Sequence, residues 1–438
     1  MKKPFLTIPI LALLLLGAHM LRQGDFGLTA SCAVLVVLLF SRQSWVRPVT
    51  IVSLLVAGYV WAEATVELIS FRQAFDLPWK RLAYIMAGVI LLNVAALGLM
   101  LTRWARRWFD RGEERASARA AIFILTCVSL ALARSQVSFP ILLLDRYLTG
   151  WGWFEIFALS YYAQWIGSMM LLPKGHRRVR PRIWGLFSAL FFLQLGLGLI
   201  GMDAMLMTGA LHLPVPALIV AGPIFRGGGF FMLILFSVTV LLVGPAWCSH
   251  LCYIGAWDDC MSRLGPRPAP GRTLGRLSLL GRGTTLALAV TTALALRVAG
   301  FPAITAVLFA AGFGLVGVGV MVFVSRKRGM MAHCTAFCPM GLVANIMSRI
   351  SPWRIRVGED CTRCGACYTQ CRYNALDESR VAAGSPALSC TLCGDCVSVC
   401  AHKQISYTFP GLSSDNARTV FIVLVVSLHA LFLGVARI

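Results

Sequence analysis

Charged side chains are scarce in this 438-residue chain, and acidic ones are the scarcest. Only 13% of the residues are charged, and 18 Asp and Glu stand against 40 Lys and Arg. A soluble domain has roughly 25% charged residues, whereas 58% of this chain is hydrophobic and its mean hydropathy is +0.76. So much apolar surface cannot be hidden in one water-soluble core. The composition therefore excludes a single soluble domain and favours a protein that uses lipid as a solvent.

The sequence also lacks low-complexity tracts, and no period of 20–50 residues repeats along it. It contains instead a series of apolar runs that approach the roughly 20 residues needed to span a bilayer core as a helix. Eleven such segments are predicted to cross the membrane. They are 5–21, 27–41, 49–70, 82–102, 120–133, 153–172, 183–201, 229–245, 284–299, 304–324 and 419–436.

The excess of positive charge follows this predicted topology. If the chain starts inside, 31 of the 40 Lys and Arg fall in inner segments, as the positive-inside rule requires. The charge thus indicates topology, and we expect no nucleic-acid partner. We expect a multi-pass protein of the bacterial cytoplasmic (inner) membrane, with its amino terminus inside and its carboxyl terminus outside. The first segment has no small-residue cleavage site, which predicts a retained anchor.

Cysteine is abundant, and twelve of the fifteen cysteines occur in short C-x2-C or C-x3-C spacings. Such spacings suit metal or cluster ligation in a reducing compartment. The run C-x2-C-x2-C-x3-C occurs twice, and in two-cluster ferredoxins the fourth Cys of each run binds the other cluster. The alternative of zinc sites fits less well, because zinc prefers two-plus-two spacing. The predicted ligands of two [4Fe–4S] clusters are Cys361, Cys364, Cys367 and Cys400 for one and Cys390, Cys393, Cys396 and Cys371 for the other.

Two further cysteine pairs flank predicted spans, namely Cys248 with Cys252 and Cys334 with Cys338. Residues at i and i+4 share one face of a helix, so each pair can present two thiols together. We predict a further metal or cluster site or a redox disulfide pair, against the alternative of two structural thiol pairs. His250 and His333 adjoin these pairs as candidate additional ligands or hydrogen-bond partners.

The segments Trp247–Ala256 and Cys334–Gly341, followed by the two ferredoxin runs, resemble the membrane polyferredoxins of the NapH and NosR types. The resemblance covers about residues 230–438. It implies electron flow between membrane quinol and a reductase outside the cytoplasmic membrane, with the clusters facing the cytoplasm. One departure is Tyr253, which stands where the family has Pro after the first pair.

These observations predict a polytopic α-helical membrane protein with about eleven transmembrane helices and a cytoplasmic α+β two-cluster ferredoxin-like module. We expect four regions along the chain. They are an unassigned bundle of about seven helices (1–228), a polyferredoxin membrane core (229–345), the 2×[4Fe–4S] module (346–410) and a terminal transmembrane helix (419–436).

Several ionisable residues inside spans are weaker candidates. Glu63 and Glu67 share one face of the third span, and intramembrane carboxylates suggest function by default. They are candidate catalytic acceptors of quinol protons. The alternative is a pair of carboxylates that is solvated at the membrane interface. His19 and His429 could ligate a b-type haem, but hydrogen-bonded core histidines are favoured and haem is not expected. The segment 223–229, with Arg226 and three glycines, is a weak candidate for contact with a quinone.

The leading functional hypothesis is an iron–sulfur electron-transfer protein that relays electrons between the quinol pool and a respiratory reductase or redox partner. Its expected partners are membrane lipid, quinone and a redox protein at the membrane. One rival is a maturation or regulatory protein of a metalloenzyme, in which the C-x3-C cysteines are the working site. Another rival is a transporter or scaffold formed by 1–228 with an attached redox module.

Overall fold

The computed structural model of the chain describes residues 3–110, 115–172, 175–205, 213–268 and 275–435. These residues are mostly helical, and they form two compact units, residues 1–165 and 166–438. Long runs of Leu, Val, Ala and Phe with few charged residues explain the long helices, because only a helix satisfies every backbone hydrogen bond within one segment in an apolar surrounding.

The first unit begins with a 3₁₀ turn, Lys3–Leu6, and continues as α-helices. The helices are α1 (Thr7–Arg22), α2 (Phe26–Leu39), α3 (Val46–Ala74), α4 (Lys80–Leu101), α5 (Arg103–Phe109), α6 (Ala116–Ser135), α7 (Leu143–Tyr147) and α8 (Gly152–Leu171), the last of which continues into the second unit.

The core of the first unit lies where α1 packs against α2 and α4, and α3 packs against α4. Trp45 is fully buried there and stacks in a tilted arrangement on Phe123, with ring centroids 5.5 Å apart. Asn93 of α4 is a buried polar residue, and its Nδ2 donates to the carbonyl of Leu54 at 3.0 Å. Such a bond between two helices is the usual way to accommodate a polar group at membrane depth.

The second unit carries all the paired cysteines. Its α-helices are α9 (Gly175–Leu199), α10 (Leu218–Arg226), α11 (Phe231–Val243), α12 (Tyr253–Leu264), α13 (Gly275–Val298), α14 (Ala303–Gly319), α15 (Arg326–Arg328), α16 (Pro339–Met347), α17 (Glu378–Ala382), α18 (Asp395–Val399) and α19 (Ser414–Val435). Its 3₁₀ turns are Asp203–Met205, Gly244–Ala246 and Tyr368–Gln370, and its π-helical turns are Trp247–Leu251, Val320–Ser325 and His333–Phe337. Its strands are β1 (Arg354–Val357) and β2 (Ile405–Thr408).

The two strands form an antiparallel ladder that encloses the cysteine runs in sequence, with Arg354 opposite Thr408. Helix α19 packs against β2. Phe421 of α19 stacks on Tyr407 with centroids 4.5 Å apart and contacts Trp353 at 5.3 Å. The cysteine-rich segment and the last apolar helix therefore share one hydrophobic core.

Each of the eleven predicted spans coincides with a helix in the described residues. Eight of these helices are long and apolar enough to cross a membrane, which is compatible with a multi-pass membrane protein. The helices Thr7–Arg22 and Phe26–Leu39 are apolar but shorter, and Gly152–Leu171 is not among the eight. The prediction of a largely helical chain is thus confirmed, while the membrane topology, the count of eleven spans and the α+β module stay predictions.

Candidate iron–sulfur sites

The first cysteine of each C-x3-C pair lies in a single turn of π-helix, and the second directly follows that turn and leads into an α-helix. The two turns are Trp247–Leu251 and His333–Phe337. The second cysteine of each pair leaves helical geometry, because Cys252 has φ −79° and ψ 113° and Cys338 has φ −67° and ψ 117°. Each is the N-cap of the helix that follows, α12 or α16. The two pairs therefore share one local structure, and π-helical turns of this kind are frequent at functional sites.

The helix starts supply hydrogen bonds to sulfur. The first N–H groups of an α-helix lack partners within the helix and form its positive end. The backbone N–H groups two and three residues after Cys252 donate to its Sγ, and the same arrangement holds at Cys338. These bonds favour the negatively charged thiolate, which is the form that binds metal.

A glycine three residues after each pair allows this geometry. A Cβ on Gly255 would lie 2.9 Å from the Cys248 carbonyl oxygen, and one on Gly341 would lie 2.7 Å from that of Cys334. Both distances are shorter than side-chain carbons tolerate. Only glycine lets the helix start close against the preceding turn.

The four thiols of the two pairs lie near enough to influence one another's protonation, and Cys248 and Cys338 are buried. Burial raises the pKa of the Cys334 thiol well above its usual range, and Asp258 and the other three cysteines raise it further. Burial also raises the pKa of Cys252 to about 12, with Cys338 as the next contributor. Buried thiols of this kind lose their protons when a cation binds among them. The donor set and its burial therefore fit a metal–sulfur centre.

Two charged residues that the sequence did not single out adjoin this site. Arg282 of α13 is 3% exposed, lies within electrostatic range of three of the sulfurs and donates to Asn345 Oδ1 at 3.2 Å. Asp258 of α12 is fully buried, and its Oδ2 accepts from the Cys334 N–H at 2.9 Å. Burial raises the pKa of Asp258 to about 6. One cation and one carboxyl group thus flank the four sulfurs.

A second group of four cysteines lines a cavity with about 310 Å³ of empty space, part of it open to the surroundings. The cysteines are Cys371, Cys390, Cys393 and Cys396, and the other lining residues include Ile355, Tyr373, Ala375, Leu376 and Asp395. The Ala375 N–H donates to Cys371 Sγ at 3.3 Å. Cys371 belongs to the first run and the other three to the second, which is the combination expected for one cluster of the pair. Four sulfurs in a mainly apolar cavity fit such a group, and the ligation itself stays a prediction.

The two ferredoxin runs turn in the same way. The residue before the second cysteine and the residue after it both have left-handed backbone conformations, with φ of 53° at Arg363 and 82° at Gly365. The second run repeats this with 56° at Leu392 and 74° at Gly394. These turns let a short loop wrap around a bound group. In the first run, burial raises the pKa of the Cys367 thiol, and the neighbouring thiols of Cys361 and Cys364 raise it further.

A zinc site and a cubane differ in how far apart their cysteine ligands lie. Among the described residues, no three His, Cys, Asp or Glu side chains are placed to hold one metal ion. Four thiolates around a single zinc lie about 3.8 Å apart, given Zn–S bonds of about 2.3 Å, whereas a cubane spreads its ligands over four iron corners. All fifteen cysteines lie within the described residues, and none forms a disulfide. The cysteines are therefore all present as thiols, and the preference for cubanes over zinc rests on the spacing of the two runs in the sequence.

Tyr373 lies between the two cysteine-lined sites. It is 2% exposed, and it belongs to one small core with Trp184 and Met331, against which Cys334 and Cys393 both pack. Its hydroxyl donates to the Cys248 carbonyl at 3.2 Å. The C-x3-C site and the ferredoxin cavity are therefore joined by contiguous packed side chains.

The predicted carboxylates Glu63 and Glu67 lie in the first unit. Both are exposed on α3, and their proton role stays a prediction.

The predicted intramembrane histidines have other contacts. His19 lies 3.1 Å from Gln23 by its Nε2, and its ring is 4.9 Å from that of Trp61. His429 is buried in the second unit, with its ring 5.9 Å from Phe187 and a hydrogen bond to the His250 backbone. These contacts fit the hydrogen-bonded core interpretation.

The glycine run near Arg226 ends a helix. Gly227 has φ 73° and is the C-cap of α10, and its N–H donates to the Pro223 carbonyl. Arg297 packs on Gly227 and donates to the Ile224 carbonyl at 3.1 Å. The run is thus used to stop a helix, and its contact with quinone stays a prediction.

The histidines beside the C-x3-C pairs are both buried. His250 Nδ1 lies 2.9 Å from Ser249 Oγ. His333 lines a cavity together with Cys338. Neither imidazole belongs to a group placed to hold a single metal ion among the described residues.

Comparison with known families gives one match. Residues 225–270 and 310–358 match a family model described as a 4Fe-4S binding domain. No curated protein and no solved structure matches the chain. The matched segments contain all four C-x3-C cysteines. The fold and this match together support an iron–sulfur, ferredoxin-like protein with several long apolar helices and a role in electron transfer.

Proposed function

We propose that this chain is a membrane-bound iron–sulfur protein that relays electrons between the quinol pool and a respiratory reductase or another redox partner. One observation carries the proposal: two cysteine-lined sites in one compact unit are connected through Tyr373 and its packed neighbours. Electron tunnelling falls steeply with distance, so adjoining sites joined by dense packing suit a relay. The predicted position is the bacterial cytoplasmic membrane, with the cysteine-rich segment inside, on the basis of the basic inner segments.

The cysteines of the second unit provide ligands for three iron–sulfur centres under this proposal. The second cavity would hold one [4Fe–4S] cluster on Cys371, Cys390, Cys393 and Cys396, and the remaining cysteines of the two runs would hold the other. The four C-x3-C cysteines, which the matched 4Fe-4S segments contain, would hold a third centre. Such centres, when bound, supply one-electron redox chemistry. The protein contributes burial, N–H···S bonds and nearby charge, which set the potentials.

A cavity beside the C-x3-C site is our candidate for the quinol. It encloses about 330 Å³ of empty space, part of it open, and Phe313, Val318 and Met321 line it together with Cys338. His333, which is 5% exposed, also lines it. Among the described residues, neither ring nitrogen of His333 has a well-formed hydrogen bond, although the Gly317 backbone lies beside the ring. An apolar cavity with one imidazole suits the ring and hydroxyl groups of a lipid-soluble quinol.

Titration of the purified, anaerobically prepared protein with a water-soluble quinol analogue tests this proposal. We expect electron paramagnetic resonance (EPR) signals of reduced iron–sulfur centres to grow with added quinol. Replacing His333 with Leu should slow this reduction at least tenfold, because a hydrogen bond to quinol is lost, while reduction by dithionite stays unchanged. The matched control is His402→Leu, at an exposed histidine of the same unit.

Two outcomes would contradict the proposal. Quinol that leaves all centres oxidised would exclude the relay, and wild-type reduction rates in His333→Leu would exclude this cavity.

A maturation or regulatory protein is the second candidate, and the separate four-thiol site with its own Arg282 and Asp258 favours it. Replacing all four C-x3-C cysteines with Ser separates the two functions. Loss of quinol-dependent reduction of the ferredoxin centres supports the relay. Unchanged reduction together with lost activation of a partner metalloenzyme supports maturation.

A further inference from the structure

Three buried charged residues and the partly exposed Arg263 form an ion-pair network that connects three elements of the second unit. Arg180 of α9 is fully buried, and its Nη2 lies 3.0 Å from Asp395 Oδ2 and 3.4 Å from Asp259 Oδ1. Arg263 of α12 contacts the same two carboxylates, at 2.5 Å from Asp259 Oδ2 and 3.4 Å from Asp395 Oδ2. Two positive and two negative charges thus balance.

This network lies between the two cysteine-lined sites. Arg180 Nη1 donates at 3.0 Å to the carbonyl of Ser249, in the turn that carries Cys248. Its guanidinium carbon is 5.3 Å from the centroid of Trp184, which belongs to the core around Tyr373. On the other side, Asp395 lines the ferredoxin cavity.

Asp395 is the only carboxylate among the residues that line this described cavity, and it is 4% exposed. A cluster held by four thiolates is already negative and gains a further negative charge on reduction. In a low-dielectric site, an uncompensated carboxylate beside it would oppose that electron strongly. A buried charge is tolerated when it is paired and hydrogen-bonded. Arg180 supplies Asp395 with the opposite charge and with a hydrogen bond.

We propose that Arg180 is a positioning residue that sets the reduction potential of the centre bound by Cys371, Cys390, Cys393 and Cys396, by neutralising Asp395 and holding it in the cavity wall. This inference rests on the proposed function, because it requires a cluster in that cavity. It also assigns a task to α9, which lies in the region 1–228 that the sequence left unassigned to any family.

The experiment is an EPR-monitored redox titration of the holoprotein and four variants. In Arg180→Gln, the ratio of reduced to oxidised centre at a fixed potential should fall at least tenfold, which is about 59 mV for one electron. In Asp395→Asn, the ratio should rise by a similar factor, because the carboxylate is removed and Arg180 stays. The double variant restores charge balance and should return towards wild type. Arg180→Lys keeps the charge and should shift the ratio less than Arg180→Gln does.

The matched control is Arg182→Gln, at an exposed arginine of the same helix. Iron and acid-labile sulfide content is measured for every protein. If Arg180→Gln does not fold, Asp395→Asn still tests the inference, because an unchanged or lowered potential in that variant contradicts it.

The results separate the two proposals. Wild-type protein without iron and sulfide in this cavity would overturn the proposed function as well as the inference. Full cluster content with unchanged potentials in Arg180→Gln and Asp395→Asn would overturn the inference alone. Shifts of the same sign in both variants would also overturn it, because opposite charges were removed.

Discussion

Replacing Cys371 with Ser should remove one iron–sulfur centre and leave the others. Cys371 lines a cavity with three cysteines of the other run, so its loss takes one ligand from that centre, while the centre of the first run keeps all four of its own. Iron and acid-labile sulfide should each fall by about four atoms per chain, the content of one cubane. The corresponding EPR signal should disappear.

Cys400→Ser provides the reciprocal test, because it should remove the other ferredoxin centre. Cys260→Ser is the matched control, since Cys260 is exposed and stands outside the motifs, and its iron content should equal that of the wild type. If Cys371→Ser instead lost the centre of Cys361, Cys364 and Cys367, each run would bind its own cluster and the exchange of the fourth ligand would be wrong.

Replacing Gly341 with Ala should destabilise the C-x3-C site. The added Cβ would lie 2.7 Å from the Cys334 carbonyl oxygen, which is backbone and cannot swing aside. Forcing such a contact shifts the start of α16 and costs about 2 kcal/mol. The N–H groups that bond to Cys338 Sγ belong to the same turn, so iron bound at this site should fall as well.

Thermal unfolding in detergent, followed by circular dichroism, measures the first effect, and iron content measures the second. Gly283→Ala is the matched control, because a Cβ on Gly283 of α13 meets no atom within 4 Å. It should leave the iron content unchanged and stabilise the protein slightly, by up to about 1 kcal/mol, because Ala favours a helix interior over Gly. Equal behaviour of the two variants would show that the close approach of turn and helix is unimportant.

The positions of the apolar helices and the cysteine motifs were predictable from sequence, because both depend on local pattern. A bilayer-length run of apolar residues has few stable conformations other than a helix. Each of the predicted spans, such as 229–245 or 419–436, accordingly coincides with a helix. The turns of the ferredoxin runs likewise follow from a glycine placed next to the second cysteine, as at Gly365 and Gly394.

Arg180 and Arg282 show what was missed. Both were counted with the basic residues of inner segments, where charge indicates topology. In the structure, each is buried, Arg180 against Asp395 and Arg282 beside the C-x3-C sulfurs. Their partners are 215 residues away in the first case and more than 30 in the second. Nothing in the local pattern distinguishes them from solvated loop residues.

The sequence by itself predicted the class of this protein, from apolar runs long enough to span lipid and from cysteine spacings typical of iron–sulfur ligation. Only the tertiary structure decided which cysteines share a cavity, that the second cysteine of each C-x3-C pair caps a helix, and which charges lie beside the sulfurs. The physical reason is the separation along the chain of the residues on which each property depends. Helix formation and ligand spacing depend on neighbours along the chain, whereas burial and charge compensation depend on residues that meet only after folding.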